Sequence, residues 1–423
     1  MSPDTIKEHD LLPCRFVAEA MPYGPGLVVN PEARDEFHRK YFFKWERSWN
    51  DSRNDDFYRA TYVVGAQWVD VGVEKYPLIV VPKICGIDFM RMFDVCFQSD
   101  VDPERFSGIY GIDLEAPYIQ TSAFQSVLSP LIVVHFLSVV KRLLKRGLRK
   151  DYVASTGNLR KIKGRVDFLR NERSNVIPRR YDRVYCRYQE YSANTQENRL
   201  IKRALLLSCR ILQNRAITNS VVSLQTALGG MLSAFSEVED TISTLEVKAV
   251  RRNKLFKDYD EAIRLAKMIL RRYDSSITKA QERETETPSF WIDMSLLYEH
   301  YVLSLLRKEY KRQIEYQKFG RTGVPDFVYN APRIILDAKY IPGIDSEGIG
   351  SDIVRQLSGY ARDKQIVGDR TNETVPCAII YPNTGAEENP FSGHSLSQLL
   401  VNEEPGLIKF YKIGVPLPMT SCR

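Results

Sequence analysis

Pro325-Asp326-Phe327-Val328-Tyr329-Asn330-Ala331-Pro332-Arg333-Ile334-Ile335-Leu336-Asp337-Ala338-Lys339 sets two β-rich runs on either side of a group of turn formers. Read as a hairpin with a symmetric loop, Phe327 pairs with Leu336, and Asp326 comes to lie opposite Asp337. Side chains alternate along a strand, so Lys339 emerges on the same face as Asp337. Two carboxylates and one ammonium therefore converge on one patch of sheet. Crowded carboxylates repel one another unless something positive joins them. A hard divalent cation such as Mg²⁺, held by one or two carboxylates and by phosphate oxygens, meets that need.

The triplet acid-any-Lys is uninformative alone, since Glu246-Val247-Lys248 and Glu309-Tyr310-Lys311 also match it. A solvated Asp–Lys pair at a hairpin end is its plainer reading. The flanks separate Asp337-Ala338-Lys339 from the others. A helix expected over Trp291–Glu309 carries Ile292, Leu296, Leu303 and Leu306 on one stripe, and Glu299 falls inside that stripe. Glu299 either reaches water at the stripe's edge or joins a metal site. The next helix, around Asp352–Asp363, is expected to turn Ile353, Gln356, Leu357 and Tyr360 inward. Gln356 and Tyr360, one turn apart, either satisfy a core or hold a phosphate or a metal-bound water. Val375–Tyr381 reads as a further buried strand.

This order of helix, strands, helix and strand resembles the PD-(D/E)xK nuclease superfamily, and Gln356-x-x-x-Tyr360 is similar to the motif of its RecB-like members. Longer stretches resemble the McrC family, the nuclease subunits of McrBC-type modification-dependent restriction systems. They are Met294-Ser295-Leu296-Leu297-Tyr298, Ile335-Leu336-Asp337-Ala338-Lys339-Tyr340 and Ile379-Ile380-Tyr381-Pro382. Upstream, Gly157–Phe168 resembles the family's "IKGRI" segment and Asn194–Lys202 its "DT..NR.IK" segment, so the likeness runs from about Leu137 to Tyr381.

The resemblance implies Mg²⁺-dependent hydrolysis of DNA phosphodiesters, with Mn²⁺ as a substitute. Asp326, Asp337 and the Ala338 carbonyl would be metal ligands, and Lys339 would orient water or neutralise the transition state. Glu299 would be an outer ligand, and Gln356 and Tyr360 would position substrate. The resemblance also implies a partner, a hexameric AAA+ GTPase of McrB type, with Lys163, Gly164, Arg165, Asn198 and Arg199 as family-like contact positions. Salt-bridged scaffolding is the alternative reading of Arg165 and Arg199. No Gly-x-x-x-x-Gly-Lys-Ser/Thr occurs in the chain, so GTP would be bound by the partner. The DNA would be double-stranded and modified, in a methylcytosine-type system. Two rival readings remain: a stand-alone RecB-like repair nuclease, and a catalytically silent subunit that only stimulates a GTPase.

Composition is that of an ordinary globular chain, with 27% charged and 43% hydrophobic residues among 423. The seven cysteines are scattered without Cys-x-x-Cys spacing, and no two of the five histidines sit at metal-ligand spacing. Both facts fit reduced thiols in a bacterial or archaeal cytoplasm better than a disulfide or zinc framework. The opening residues do not read as a secretory signal, and the apolar run Val127–Val140 is too short to span a bilayer, so no membrane is expected. Charge is uneven: residues 141–190 hold sixteen Lys/Arg against five Asp/Glu, more than the whole chain's net +7. A concentrated basic stretch calls for an acidic partner.

The expected architecture is α+β and multidomain. Residues 1–122 form a β-rich domain, a small barrel or sandwich, with strands at Tyr62–Gly65, Trp68–Val73 and Leu78–Val81. Residues 123–280 form a helical domain with a basic extended arm over Tyr152–Tyr191 and helices at Ala123–Lys150, Gln196–Asn214, Ser220–Thr241 and Asp258–Tyr273. Residues 281–423 form the PD-(D/E)xK α/β nuclease domain, after a linker at Ser275–Pro288.

Overall fold

The computed structural model describes residues 4–12, 27–29, 39–46, 57–71, 74–98, 108–113, 116–120, 125–213, 222–241, 257–273, 286–344, 348–368, 374–385 and 388–419. Cys14, His38, Cys422 and most of the expected linker lie outside them. The fold is mixed α/β, and the chain divides into two compact units: residues 1–131 with 281–423, and residues 132–280.

The first unit contains two five-stranded sheets. One runs in the order Asp4–Lys7, Glu74–Val81, Val63–Val71, Ser289–Asp293, Tyr110–Asp113. The second runs Ile314–Tyr316, Phe327–Asn330, Arg333–Ala338, Cys377–Asn383, Phe410–Pro416. Its first three strands are antiparallel and its last two joins are parallel. A parallel join needs a crossover, which the Ser351–Tyr360 helix provides between Arg333–Ala338 and Cys377–Asn383. In open α/β sheets, ligands bind beyond the carboxyl ends of such strands, and Asp337-Ala338-Lys339 stands at that end.

The expected division into three domains differs from what is found. Ser289–Asp293 does not begin the helix expected from Trp291. It is a strand with all five residues buried, paired to Val63–Ala66 on one side and Tyr110–Asp113 on the other. The helix begins at Met294, capped by Asp293, whose carboxylate accepts the Leu296 N–H at 3.0 Å. Ser289–Asp293 thereby ties the C-terminal segment to the N-terminal sheet. Pro77 lies within the Glu74–Val81 strand, opposite Trp68.

In the second unit, Asp151–Leu159 pairs antiparallel with Val184–Ser192 over nine residue pairs, and Arg165–Val166 adds a third strand. The arm was expected to be mostly extended, but it folds back through a helical turn at Phe168–Asn171 and a π-helical turn at Glu172–Val176. Asp167 starts the first turn by accepting the Arg170 N–H at 3.3 Å. Gln196–Leu212 turns Leu200, Ile201, Ala204, Leu205 and Leu212 inward, and Lys257–Tyr273 contributes Ala262, Ala266, Ile269 and Leu270 to the buried interior.

Candidate active site and partner-binding arm

The hairpin has the expected register: Phe327 pairs with Leu336, Val328 with Ile335, Tyr329 with Ile334 and Asn330 with Arg333. The turn is tighter than expected, reduced to Ala331-Pro332, which are joined by a cis peptide. Asp326 stands just before the first strand and accepts the Ala338 N–H at 2.8 Å, which ties it to the opposite strand's end. Asp337 is 1% exposed, and Lys339 Nζ lies 2.7 Å from Asp337 Oδ2. By alternation, Ile335, Asp337 and Lys339 share the face covered by Leu357 and Tyr360.

Glu299 projects from the Met294–Tyr310 helix and accepts Gln317 Nε2 at 3.2 Å, with a second hydrogen bond from Tyr316. It is half-buried. Burial raises its pKa, and the negative charges of Asp337 and Asp293 add to the rise against those two hydrogen bonds. Asp326 is pushed well above the usual carboxylate range by burial, then by Asp337 and Glu299. Burial alone would lower the Lys339 ammonium, but Asp337 and Asp326 outweigh it and the net shift is upward. Lys339 is therefore a fixed cation here, not a base.

Three carboxylates thus sense one another around a single ammonium. Asp337 Oδ2 is buried and faces the Lys339 ammonium at 2.7 Å. Among the described residues, no group of three or more His, Cys, Asp or Glu side chains is placed to hold a metal. Mg²⁺ does not require such a cage: it is usually held by one or two carboxylates, with waters and substrate phosphates completing its shell. A buried pair of hard-oxygen donors crowded by like charge fits that ion, and Asp326, Asp337 and the Ala338 carbonyl would hold it. Glu299, engaged by Gln317 and Tyr316, stands behind them.

Gln356 and Tyr360 lie on the Ser351–Tyr360 helix as expected, and Gln356 Nε2 donates to the Tyr360 hydroxyl at 2.8 Å. Tyr360 is buried. Gln356, expected on the inner face, is exposed, so its amide stands at the rim of the site. Sequence reasoning missed Gln317, whose backbone at φ 49° aims its side chain at Glu299 and whose N–H bonds the Asp326 carbonyl at 2.9 Å. Nothing in a lone Gln announces that. It also missed Glu8, a buried carboxylate whose Oε2 accepts the Lys83 N–H at 2.9 Å and whose Oε1 has no hydrogen bond. Burial pushes the Glu8 pKa up to about 8.

A family model described as McrBC 5-methylcytosine restriction system component matches residues 113–343, more than half of the chain. The chain belongs to this McrBC component family. Among solved structures it is similar to a chain in a half-complex of Thermococcus gammatolerans McrB AAA+ hexamers with bound McrC. The identity is 17% over 100% of this chain and 96% of that one, with a TM-score of 0.40. A chain in a second Thermococcus gammatolerans McrBC complex is 16% identical over 73% of this chain and 88% of its own length, with a TM-score of 0.29. Among curated proteins no relative matches.

The McrBC-like positions of the second unit separate into two sets. Lys163, Gly164 and Arg165 are exposed on the arm, where Lys163 Nζ lies 4.3 Å from the Tyr188 ring centroid and 3.4 Å from Glu190. Gly164 has φ 72°, and a Cβ there would meet the Arg187 carbonyl oxygen at 2.5 Å, so the close approach of these strands needs glycine. Asn198 and Arg199, by contrast, are engaged by partners within the second unit. Asn198 is fully buried; it donates to the carbonyls of Arg149 at 2.9 Å and Ala193 at 2.7 Å and accepts the Tyr259 hydroxyl at 2.8 Å. Arg199 binds Asn194 at 2.8 Å and Glu239 at 2.9 Å. Neither belongs to the arm. Among the described residues, no helix is long and apolar enough to cross a membrane.

Proposed function

We propose that this chain is the Mg²⁺-dependent DNA endonuclease subunit of a modification-dependent restriction complex, acting with and stimulating an AAA+ GTPase of McrB type. The observation that carries the reading is the gathering of Asp326, Asp337 and Lys339 at one end of the hairpin, in a member of a 5-methylcytosine restriction family. Bound there, Mg²⁺ would supply a Lewis acid for a phosphoryl oxygen and acidify a coordinated water. The chain's own groups do the rest. Burial beside Asp337 and Glu299 makes the ionised form of Asp326 costly, and a bound cation would offset that cost. Lys339, kept protonated by those acids, orients water and stabilises charge growing on the phosphate. Gln356, at the rim and steadied by Tyr360, contacts the substrate backbone.

The partner reading rests on the arm. Its exposed cations Lys163 and Arg165, with exposed Ile162, Phe168, Leu169, Ile177 and Tyr181, give it a basic and apolar surface fitted to a protein partner. The test is a complex reconstituted with the cognate AAA+ GTPase, GTP and methylated duplex DNA. Asp337→Ala and Lys339→Ala should abolish cleavage and leave GTP hydrolysis stimulated. Cleavage at the wild-type rate in both variants would overturn the nuclease assignment in favour of a silent, GTPase-stimulating subunit.

A further inference from the structure

The Gln317–Gly323 loop connects Ile314–Tyr316 to Asp326, and both of its ends touch the site. Gln317 bonds Glu299 and the Asp326 carbonyl. At the other end Gly323 passes so near Tyr360 that a Cβ would lie 2.8 Å from the ring. Between these anchors Phe319 is 81% exposed. Two residues from Gln317, its Cα lies at most about 7 Å from that anchor.

The loop is held from beneath. Asp363, itself buried, accepts the Thr322 N–H at 2.7 Å and the Thr322 hydroxyl at 3.0 Å through one oxygen, and the Gln365 N–H at 2.9 Å through the other. Those hydrogen bonds, the Thr322 N–H foremost, hold its carboxyl below the usual carboxylate range. Gly320 N–H closes the loop onto the Gly323 carbonyl at 2.9 Å. Asp363 is thus engaged mainly by backbone N–H groups, and Arg321, Arg362 and Lys364 are exposed. Lys318 is balanced by Glu315 at 2.9 Å. An exposed aromatic ring on a tethered loop, with exposed cations on that loop and on the segment that tethers it, beside the proposed cutting site, has the chemistry of a nucleic-acid contact. Cations take the backbone, and the ring takes a base face.

We propose that this loop is a DNA wedge. Phe319 inserts at a base step beside the scissile phosphate and unstacks it, and Arg321, Arg362 and Lys364 grip the flanking backbone. The inference rests on the nuclease reading above and adds to it the means by which the duplex is deformed at the cut. The ring is solvent-exposed, so its replacement should leave the fold intact.

The test uses the full-length chain with Ca²⁺ in place of Mg²⁺ and a series of methylated duplexes, each with one 2-aminopurine at a different position. Wild type should raise 2-aminopurine emission at one or two adjacent positions. Phe319→Trp should keep the rise. Phe319→Ala should lose it and weaken binding 5- to 150-fold, the range associated with one stacked base. Arg321→Ala with Arg362→Ala should weaken binding and reduce its salt dependence. Unchanged emission and affinity in Phe319→Ala would overturn the wedge, as would loss of GTPase binding in that variant with DNA binding intact. Cleavage in Mg²⁺ is scored separately. If Asp337→Ala cleaves like wild type while the emission rise survives, the nuclease reading fails and the DNA contact stands.

Discussion

Asp326 stands just before one strand and Asp167 just after another, and each accepts a backbone N–H, yet their surroundings push them in opposite directions. Asp167 meets Arg187, whose Nε and Nη2 both lie 2.8 Å from its Oδ2, and it also accepts the Arg170 N–H. Chiefly through Arg187, its carboxyl is held below the usual range. Asp326 meets Asp337 and Glu299, and burial among like charges lifts it far above that range. Glu261, bonded by His135 at 3.0 Å and Arg142 at 2.9 Å, follows Asp167; Glu299 follows Asp326. One part of the chain spends its acids on holding itself together. The other crowds acids together where burial and like charge raise their pKa values, and carboxylates so displaced cluster where chemistry is done.

Substitution should separate the two kinds of acid. The largest effect is expected for Asp326→Asn: DNA cleavage by the complex should fall about 10²- to 10³-fold, the loss typical of one preorganised electrostatic group. The melting temperature should stay level or rise, because a buried like-charge contact is relieved. A melting temperature that falls with activity would erase the contrast. Next comes Asn198→Ala, which removes the donor to the Arg149 and Ala193 carbonyls and the acceptor of the Tyr259 hydroxyl. It should cost about 3 kcal/mol in stability, read from denaturant unfolding. A stable variant that fails only in GTPase stimulation would return Asn198 to the partner surface.

Acidity supplies a subtler test. An acid whose pKa is raised by folding binds its proton more tightly in the native state, so stability is lost as pH rises from the unfolded value toward the folded one. For Glu8 that window runs from 4.5 to about 8, and Asp326 and Glu299 shift in the same direction. The melting temperature of the metal-free protein should fall across this window, and Glu8→Gln should flatten part of the fall. Mg²⁺ should raise the melting temperature more at the alkaline end than at the acid end, with no increment in Asp326→Asn. Smallest in stability is Arg165→Ala with Lys163→Ala: the arm should melt within about 0.5 kcal/mol of wild type. Stimulation of the partner's GTPase should nonetheless drop.

Much of the site was legible because it is local. Alternation and the turn residues fix the register of Phe327–Asn330 against Arg333–Ala338, and with it the meeting of Asp326, Asp337 and Lys339. What depends on distant segments was not legible. Ser289–Asp293 merges in sequence with the helix after it, and only its pairing with residues 63–66 and 110–113 makes it a strand. Asn198 reads as a functional polar residue because its third partner, Tyr259, lies 61 positions away. The turn at Phe168–Asn171 was missed although Asp167 is a standard helix-starting residue, since its burial depends on Arg187 across the arm.

The threading of Ser289–Asp293 through the N-terminal sheet bears on how the molecule can be dissected. A shortened gene encoding only the last third would release this strand with both flanks bare and all five of its side chains seeking cover. Such a product is prone to pair with copies of itself. A minimal module carrying the Asp326–Asp337–Lys339 cluster must therefore bring along the strands at 63–71 and 110–113, so the smallest transplantable piece is assembled from both ends of the polypeptide.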